Sequence, residues 1–310
     1  MKILKLLLFI ISMWKIFTSE IMKLLLRIAG AKIGKNVFIS VSAQFLCNKI
    51  EIGNDSRILE KVRIKANEFK CGKSVVISND SLFSGSDNLI IGDKSYFGKN
   101  SRIDLSRDVK IGKDVGFGEN SIIWTHGYFP PADEGYPVTY APVSIDDGAW
   151  VSTSIIVLPG VNIGKGVIVG AGSVITRSVQ REQIIAGNPA KVIKDVKSII
   201  KEVNFKTILQ EILDKFKNEV LLNKIQYGNY VKYEYSKFNI LLVDGCEVDL
   251  DTNKKNIVLA KNITEVFLKK IYNHYWFDFD TKIRKRTKYK EVEDLHFHFK
   301  GFGIRFLIED

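Results

Sequence analysis

The stretch IDDGAW VSTSII VLPGVN IGKGVI VGAGSV ITRSVQ, Ile145 to Gln180, repeats every six residues. Ile145, Val151, Val157, Ile163, Val169 and Ile175 keep one register. The position four later is small or aliphatic: Ala149, Ile155, Val161, Val167, Ser173 and Val179. A period of six matches neither a 3.6-residue helix nor the alternation of a long strand. It fits short extended segments joined by tight corners, each sending one aliphatic side chain toward a shared axis. Gly, Asn and Asp fill corners that need a positive φ. One coil cannot bury its apolar face alone, so coils must stack and the ends must be capped. Toward the N-terminus, IGKNVF ISVSAQ, IGNDSR ILEKVR, IGDKSY FGKNSR IDLSRD and IGKDVG FGENSI follow the same rule from Ile33 onward, with slips of a residue or two.

The rest of the chain is organised differently. With 310 residues there is room for two domains, and 45% hydrophobic content is ordinary for a globular protein. Lys plus Arg number 46 against 35 Asp plus Glu, a formal charge of +11. That balance favours anionic partners such as a lipid surface or a phosphorylated ligand. No nucleic-acid motif accompanies it, so nucleic acid is not an expected partner. Cys47, Cys71 and Cys246 are far apart, with no CxxC pair, which suits a reducing cytosol.

The opening MKILKLLLFIISMWKIF has Lys2 and Lys5 ahead of an apolar run, as a signal peptide does. The run is short, however, and Trp14 and Lys15 stand where a cleavage site would be. It also falls short of the roughly 20 apolar residues that span a bilayer. On a helical wheel Lys2, Lys5, Ser12, Lys15 and Ser19 share a narrow face. Two readings follow: a helix that caps the first coil, or a helix lying in a membrane interface with its lysines on lipid phosphates.

After Lys194 the sextets stop. FKTILQEILDKFKNEVLL spaces Ile208, Leu209, Ile212, Leu213, Phe216 and Val220 as an amphipathic helix. FNILLV, NIVLA and LHFHF…GIRFLI read as strands, and Asn262 with Glu265 predicts the cap of a helix from Ile263. The expected organisation is a helical cap over 1–30, a repeat domain over 31–195 and a small α+β domain over 196–310. In that last part His296 and His298 alternate on one strand face, a spacing that can ligate a metal but that without a carboxylate or cysteine nearby reads as two exposed strand histidines. KIRKRTKYK, Lys282 to Lys290, reads as a solvated basic face or one that meets membrane lipid or a phosphate-bearing acceptor.

The sextets from Ile33 to Lys194, with AGNPAKVIK closing them, resemble the hexapeptide-repeat acyltransferases. The fold implied is mainly β: a left-handed parallel β-helix of triangular cross-section, with N-terminal capping helices and the C-terminal α+β domain appended. Within that family, IDLSRDVKIGKDVGFGENSIIWTHGY and the run from Ala141 look most like the acetyltransferases that decorate bacterial surface polysaccharides. The resemblance implies acetyl-CoA as co-substrate, a sugar or polysaccharide acceptor, no metal, and a homotrimer with sites between subunits.

The rhythm breaks once inside the repeats. After Ile123-Trp124-Thr125-His126 the period is lost and resumes at Ile145, and His126 is the single histidine of the repeat region. A flat solenoid face makes a poor pocket, whereas the excursion Gly127 to Ala141 can wall one. Acyl transfer needs a proton removed as the acceptor attacks the thioester, which an imidazole does well, typically for about 10²–10⁴-fold. His126 is therefore the expected general base, matching the family's catalytic histidine. Asp104 matches a carboxylate that holds a sugar hydroxyl or orients the imidazole. Asp133, Glu134, Tyr128, Phe129 and Tyr136 form the excursion's wall or meet the sugar.

On the donor side the resemblance places the coenzyme along Trp150, Ser152, Thr153, Gly170, Ala171 and Thr176. An oxyanion donor is expected near Ser152 and Thr153, and Arg177, Lys191 and Lys194 are expected to meet the phosphates. Where relatives often carry Gly, this chain has Ser152.

The expected activity is transfer of acetyl to a sugar hydroxyl, in the cytoplasm or at the inner face of the membrane. N-acetylation of an amino-sugar nucleotide uses the same base and donor site and stays open. So does a reading of another class: a β-helix scaffold whose C-terminal domain binds glycan or membrane. A β-helical zinc carbonic anhydrase needs three histidine ligands, which the repeat region lacks.

Overall fold

The structure is a computed structural model. It describes residues 18–309 except 128–130, 220–222, 227–229, 236–237, 246–247, 249, 251–254, 263–270, 272–273, 288 and 303. The chain forms two compact units, Met1–Ile200 and Lys201–Asp310.

The first unit is a left-handed parallel β-helix. Strands of mostly two residues stack in parallel ladders. One ladder runs Phe38–Ile39, Arg57–Ile58, Val76–Ile77, Tyr96–Phe97, Gly116–Phe117, Trp150–Val151, Ile168–Val169 and Gln183–Gly187. A second includes Leu82–Gly85, Arg102–Leu105, Ile122–Ile123, Ile156–Val157 and Val174–Ile175; a third includes Leu89–Ile91, Val109–Ile111, Val143–Ile145 and Asn162–Ile163. Gln44–Ile52 and Arg63–Cys71, each nine residues long, turn a corner and join the second and third ladders into one sheet.

The register of six explains the core. Ile145, Val151, Val157, Ile163, Val169 and Ile175 are each 0 or 1% exposed, so these positions are the inward ones. Burying such a side chain contributes about 1.5–3 kcal/mol. Ala149, Ile155, Val161, Val167 and Ser173 are buried as well and fill the corners. In the N-terminal coils phenylalanines take over: Phe97 stacks between Phe83 and Phe117, with ring centroids 5.3 and 5.4 Å away.

Buried corner hydroxyls satisfy carbonyls of the next coil. Ser56 donates to Gly72 O and Ser95 to Gly112 O, both at 2.8 Å. Positive φ falls at Gly148, Gly160, Gly166 and Gly172 in the later coils and mostly at Asn or Asp in the earlier ones. Lys61, Ser74, Lys94 and Ser154 adopt it too, which residue type alone does not foretell.

Coil length changes along the axis. Equivalent positions lie 19 or 20 residues apart in the early coils. The interval is 34 across the excursion. Beyond it Trp150 pairs with Ile168, a true three-sextet coil. At the N-terminal end a helix over residues 18–28 closes the axis. Its Met22 and Leu26 pack on the core, and Ser19 Oγ accepts the Ile39 N–H at 2.9 Å. The preceding residues lie outside those described.

The second unit has a seven-stranded sheet among the described residues, from Asn223–Gln226 to Leu307–Glu309, whose central strands Phe238–Asp244, Lys255–Lys261 and Tyr275–Asp278 run parallel. The helix Phe205–Glu219 buries Leu209, Leu213 and Phe216. Two expectations are corrected here. LHFHF is helical, within Lys290–Gly301, because Val292, Leu295 and Phe299 supply a buried stripe at helical spacing that outweighs a short alternation. His296 is consequently buried and His298 Nε2 meets Ile212 O at 2.8 Å. The basic run is not wholly solvated either: Arg284 is fully buried, with both Glu293 oxygens at 2.7 Å and His296 Nδ1 at 2.8 Å. The helix expected from Ile263 lies outside the described residues.

Candidate active site

Arg102–Leu105 and Ile122–Ile123 are neighbours in register, Ile103 beside Ile123. Asp104 therefore leaves its coil beside the chain entering the excursion. Its Oδ2 accepts the Thr125 N–H at 2.9 Å and the Thr125 hydroxyl at 2.5 Å, and Thr125 is fully buried. This clamp fixes the residue before His126. His126–Gly127 then pairs antiparallel with Thr139–Tyr140, closing the excursion as a hairpin at its root.

His126 Nδ1 lies 2.8 Å from Asp104 Oδ2 and 3.1 Å from Ser106 Oγ. The Ser106 hydroxyl donates its one hydrogen to Asp104 Oδ1 at 2.9 Å, so it faces Nδ1 with a lone pair. Both neighbours of Nδ1 are thus acceptors. The bonding pattern assigns the proton to Nδ1 and the basic lone pair to Nε2. Burial pushes the Asp104 pKa upward, but hydrogen bonds from Thr125, His126 and Ser106 outweigh it and hold the carboxyl below its usual value. The carboxylate is a fixed negative partner for an imidazolium.

Two aromatic rings contact the imidazole. Tyr140 stacks at 5.9 Å between centroids and Trp124 meets it edge-on at 5.7 Å. The Arg107 guanidinium lies 4.8 Å from the Tyr140 ring. A groove of about 540 Å³ opens between Trp124, His126, Thr139, Leu158, Pro159 and Thr176. A smaller concavity of about 290 Å³ lies by Glu68, Asn88, Asp108 and Lys110. There Asp108 accepts from Asn88 Nδ2 at 2.9 Å as the end of an asparagine ladder, with no imidazole beside it.

Of the residues expected at the site, the structure brings Asp104, His126 and Thr176 to one edge of the coil, with Arg177 following Thr176. Ser152 and Gly170 stand on another edge. Their N–H groups donate up the ladder, Ser152 to Val169 O at 3.3 Å and Gly170 to Ile185 O at 2.8 Å. Lys191 pairs with Ala186 and ends this second edge, while Lys194 pairs with Ile184 at the end of the neighbouring Trp150–Ile168 column. Trp150, 60% exposed, is on the adjoining column, and the Thr153 hydroxyl donates to Glu119 O.

The Ser152 amide is thus already in use, and a transition-state oxygen would have to compete with Val169 for it. Asp133, Glu134 and Tyr136 are exposed; Tyr128 and Phe129 lie outside the described residues. Ser106, Thr125, Arg107 and Tyr140 belong to the site and escaped sequence reasoning. Asp104-Leu105-Ser106 carried a signal, since residues two apart on a strand share a face.

Comparison with known proteins places the repeats in a family. The family model described as the hexapeptide repeat of succinyl-transferase matches residues 142–177. The putative colanic acid biosynthesis acetyltransferase WcaF of Escherichia coli is 30% identical over 126 residues, 41% of this chain and 69% of that protein. A putative acetyltransferase of Saccharomyces cerevisiae is 35% identical over 132 residues, 41% of this chain and 65% of its own length. Among solved structures, galactoside acetyltransferase in complex with coenzyme A is similar at a TM-score of 0.40 and 26% identity, covering 44% of this chain and 69% of that one. The chain thus spans about two thirds of the length of these relatives.

Proposed function

The chain belongs to the hexapeptide-repeat acetyltransferases, and from that premise we propose that it moves acetyl from acetyl-CoA to a hydroxyl of a bacterial surface polysaccharide or its precursor sugar. The observation that carries this reading is the arrangement about His126, in which the Asp104 and Ser106 contacts leave the basic lone pair on Nε2. In the reaction Nε2 removes the acceptor hydroxyl's proton as that oxygen attacks the thioester carbonyl. The imidazolium so formed stands against the Asp104 carboxylate, and its proton is then available to the departing thiolate. Asp104 acts here as the orienting partner of the base.

Acetyl-CoA binds, in this reading, along the Ser152–Gly170–Ala186 edge with Ala171 and Thr153 beside it. Lys191 and Lys194 lie at its phosphate end, and Thr176 and Arg177 contribute from the His126 edge. The two edges are separated within one chain by residues 154–158, which include the strand Ile156–Val157, a span of at most roughly 13 Å at about 3.3 Å per residue. That separation supports a homotrimer, in which His126 of one protomer faces the Ser152–Gly170 edge of the next.

We also assign the enzyme to the cytoplasm, where acetyl-CoA is made, with the N-terminal helix resting on the inner membrane face. Residues 18–28 support this contact: Ile21, Leu24, Leu25 and Ile28 form an apolar stripe, 45–75% exposed, opposite the buried side. Among the described residues no helix is long and apolar enough to cross a membrane.

The test is calorimetric titration of acetyl-CoA into wild type and His126→Ala, with transfer to a panel of p-nitrophenyl glycosides and amino sugars followed by thiol release and product mass. Saturable binding to both proteins, with turnover lost in the variant, is the expected result. Turnover unchanged in His126→Ala, or no acetyl-CoA binding to a folded protein, would overturn it in favour of a scaffold. The atom acetylated in the product, oxygen or nitrogen, separates the O- from the N-transferase.

A further inference from the structure

The outward positions of the first ladder form a column: Tyr96 pairs with Gly116, and Gly116 with Trp150. Tyr96 is 37% and Trp150 60% exposed. Gly116 lies between them, where a Cβ would touch the indole at 3.4 Å from Trp150 Cδ1. Tyr96 Oη is 3.4 Å from Ser78 Oγ on the preceding coil. Beside this column runs a second one, Ser78, Gly98, Gly118 and Ser152, joined by the ladder bonds Ser78 N to Phe97 O, Gly98 N to Phe117 O and Gly118 N to Val151 O. A Cβ on Gly98 would lie 2.5 Å from Glu119 N, and one on Gly118 2.4 Å from Ser152 O. The result is an exposed aromatic shelf flanked by a column of glycine and serine, buried at Ser78 and Gly98 and half-buried at Gly118 and Ser152.

We propose that this shelf binds the acceptor glycan, with pyranose rings stacked on Tyr96 and Trp150 and their hydroxyls turned to Ser152 and the Tyr96 hydroxyl. The inference rests on the acetyltransferase reading and adds the acceptor's place to it. Three observations favour a glycan over other occupants. First, an aromatic face is electron-rich and receives the C–H face of a sugar, while the tyrosine and serine hydroxyls meet its polar rim. Second, Tyr96 and Trp150 are two coils apart, about 10 Å at the usual strand spacing, which suits a linked pair of rings. Third, the same column continues from Ser152 past Gly170 to Lys191, with Lys194 on the neighbouring column. An anionic coenzyme is drawn to that end, and the acceptor is left the other. Donor and acceptor then meet at Ser152 and Trp150 from opposite directions along one groove.

The experiment compares wild type, Tyr96→Ala, Tyr96→Phe and Gly116→Val, the last placing a branched side chain under the indole. In steady-state transfer to the best glycoside, Tyr96→Ala and Gly116→Val are expected to raise the acceptor KM about tenfold. The acetyl-CoA KM and kcat stay within threefold, and Tyr96→Phe, which keeps the ring and loses only the hydroxyl, raises the acceptor KM less than Tyr96→Ala. Calorimetric titration of cellohexaose, chitohexaose and a hyaluronan hexasaccharide gives a readout that needs no turnover. At least one should bind wild type and bind Tyr96→Ala at least fivefold more weakly. Binding of none, or equal binding to both, overturns the proposal. So does a rise in the acetyl-CoA KM instead, which would put the coenzyme on the shelf. A loss of oligomer in Tyr96→Ala would make the shelf a subunit contact. Absence of transfer by wild type with intact hexasaccharide binding would instead reject the acetyltransferase reading and leave the shelf standing.

Discussion

Replacing Asp104 by Asn changes one atom and removes one charge, and the structure predicts more than the loss of an ion pair. Three donors converge on Oδ2: Thr125 N–H at 2.9 Å, the Thr125 hydroxyl at 2.5 Å and His126 Nδ1 at 2.8 Å. The amide oxygen must take that place, which turns the NH₂ toward Ser106 Oγ. The serine then accepts where it had donated, and its freed hydrogen points to His126 Nδ1, 3.1 Å away. The proton consequently prefers Nε2, and the ring in that tautomer is no base toward the groove. Losing a hydrogen bond to a charged partner costs about 1.5–3 kcal/mol. At about 1.4 kcal/mol per decade that is roughly 10- to 150-fold in kcat. The tautomer penalty adds to this, within the roughly 10²–10⁴ that base catalysis supplies.

Acetyl-CoA turnover, read as thiol release, should therefore fall about 10²-fold or more, with KM for acetyl-CoA little changed. The companion variant gives the argument its sign. In Asp104→Asn, adding Ser106→Ala removes the hydrogen that caps Nδ1 and should restore part of the lost rate. A kcat of Asp104→Asn within threefold of wild type, or a further additive loss on adding Ser106→Ala, refutes the reasoning. The same carboxylate has a stability signature. Its folded pKa lies below the ordinary 3.8, so the ionised form contributes stability that is fully present above that value and is lost as pH falls below it. The Tm gap between wild type and Asp104→Asn should thus narrow from pH 7 to pH 3.

Three other outcomes are expected. His296, buried against Arg284, has its pKa lowered to about 2, first by burial and then by the Arg284 and Lys300 charges. The unfolded chain binds a proton below the ordinary 6.5 that the folded one refuses, so stability rises with pH in that window. The C-terminal unit should lose about 2 kcal/mol between pH 7 and pH 5. Thermal unfolding of the full chain should show this and His296→Gln should largely abolish it; an unchanged pH dependence would place the acid sensitivity elsewhere. Gly118→Ala puts a Cβ 2.4 Å from Ser152 O, while Gly127→Ala meets nothing within 4 Å. The first should cost about 1–3 kcal/mol and several degrees of Tm, the second almost nothing; equal melting temperatures would mean the coils can spread at Gly118. Ile123→Ala, at a fully buried position, should cost about 2–5 kcal/mol by the same measurement.

The solenoid was legible because its physics is one-dimensional. Each sextet places one side chain on the axis, so register in the sequence is register in space, and Ile145 through Ile175 needed no long-range information. The pair Asp104 and His126 was legible through resemblance. Ser106 and Thr125 were not, because their role depends on which oxygen of one carboxylate they address. The C-terminal unit shows the opposite case. Four residues of His-Phe alternation around 296–299 look like a strand, and only the contacts of Val292, Leu295 and Phe299 with the sheet and the helix Phe205–Glu219 decide for a helix. Arg284 was hidden for the same reason. Nothing in a basic run marks the one residue that a later glutamate and histidine will bury.

The excursion is where the two kinds of information meet. A coil that kept the 18-residue interval of Trp150 and Ile168 would carry the chain straight from Ile123 into the next corner, with no second strand beside His126. Lengthening that interval to 34 residues supplies the Thr139–Tyr140 partner, which sets the imidazole's backbone by pairing and its ring by stacking. The clamp on Thr125 fixes the same residue from the coil before. His126 is thus held by two neighbours that the repeat alone could not place together, Asp104 from below and Tyr140 from within the insertion. The lone histidine stands where the rhythm breaks because only the break can hold its ring in place.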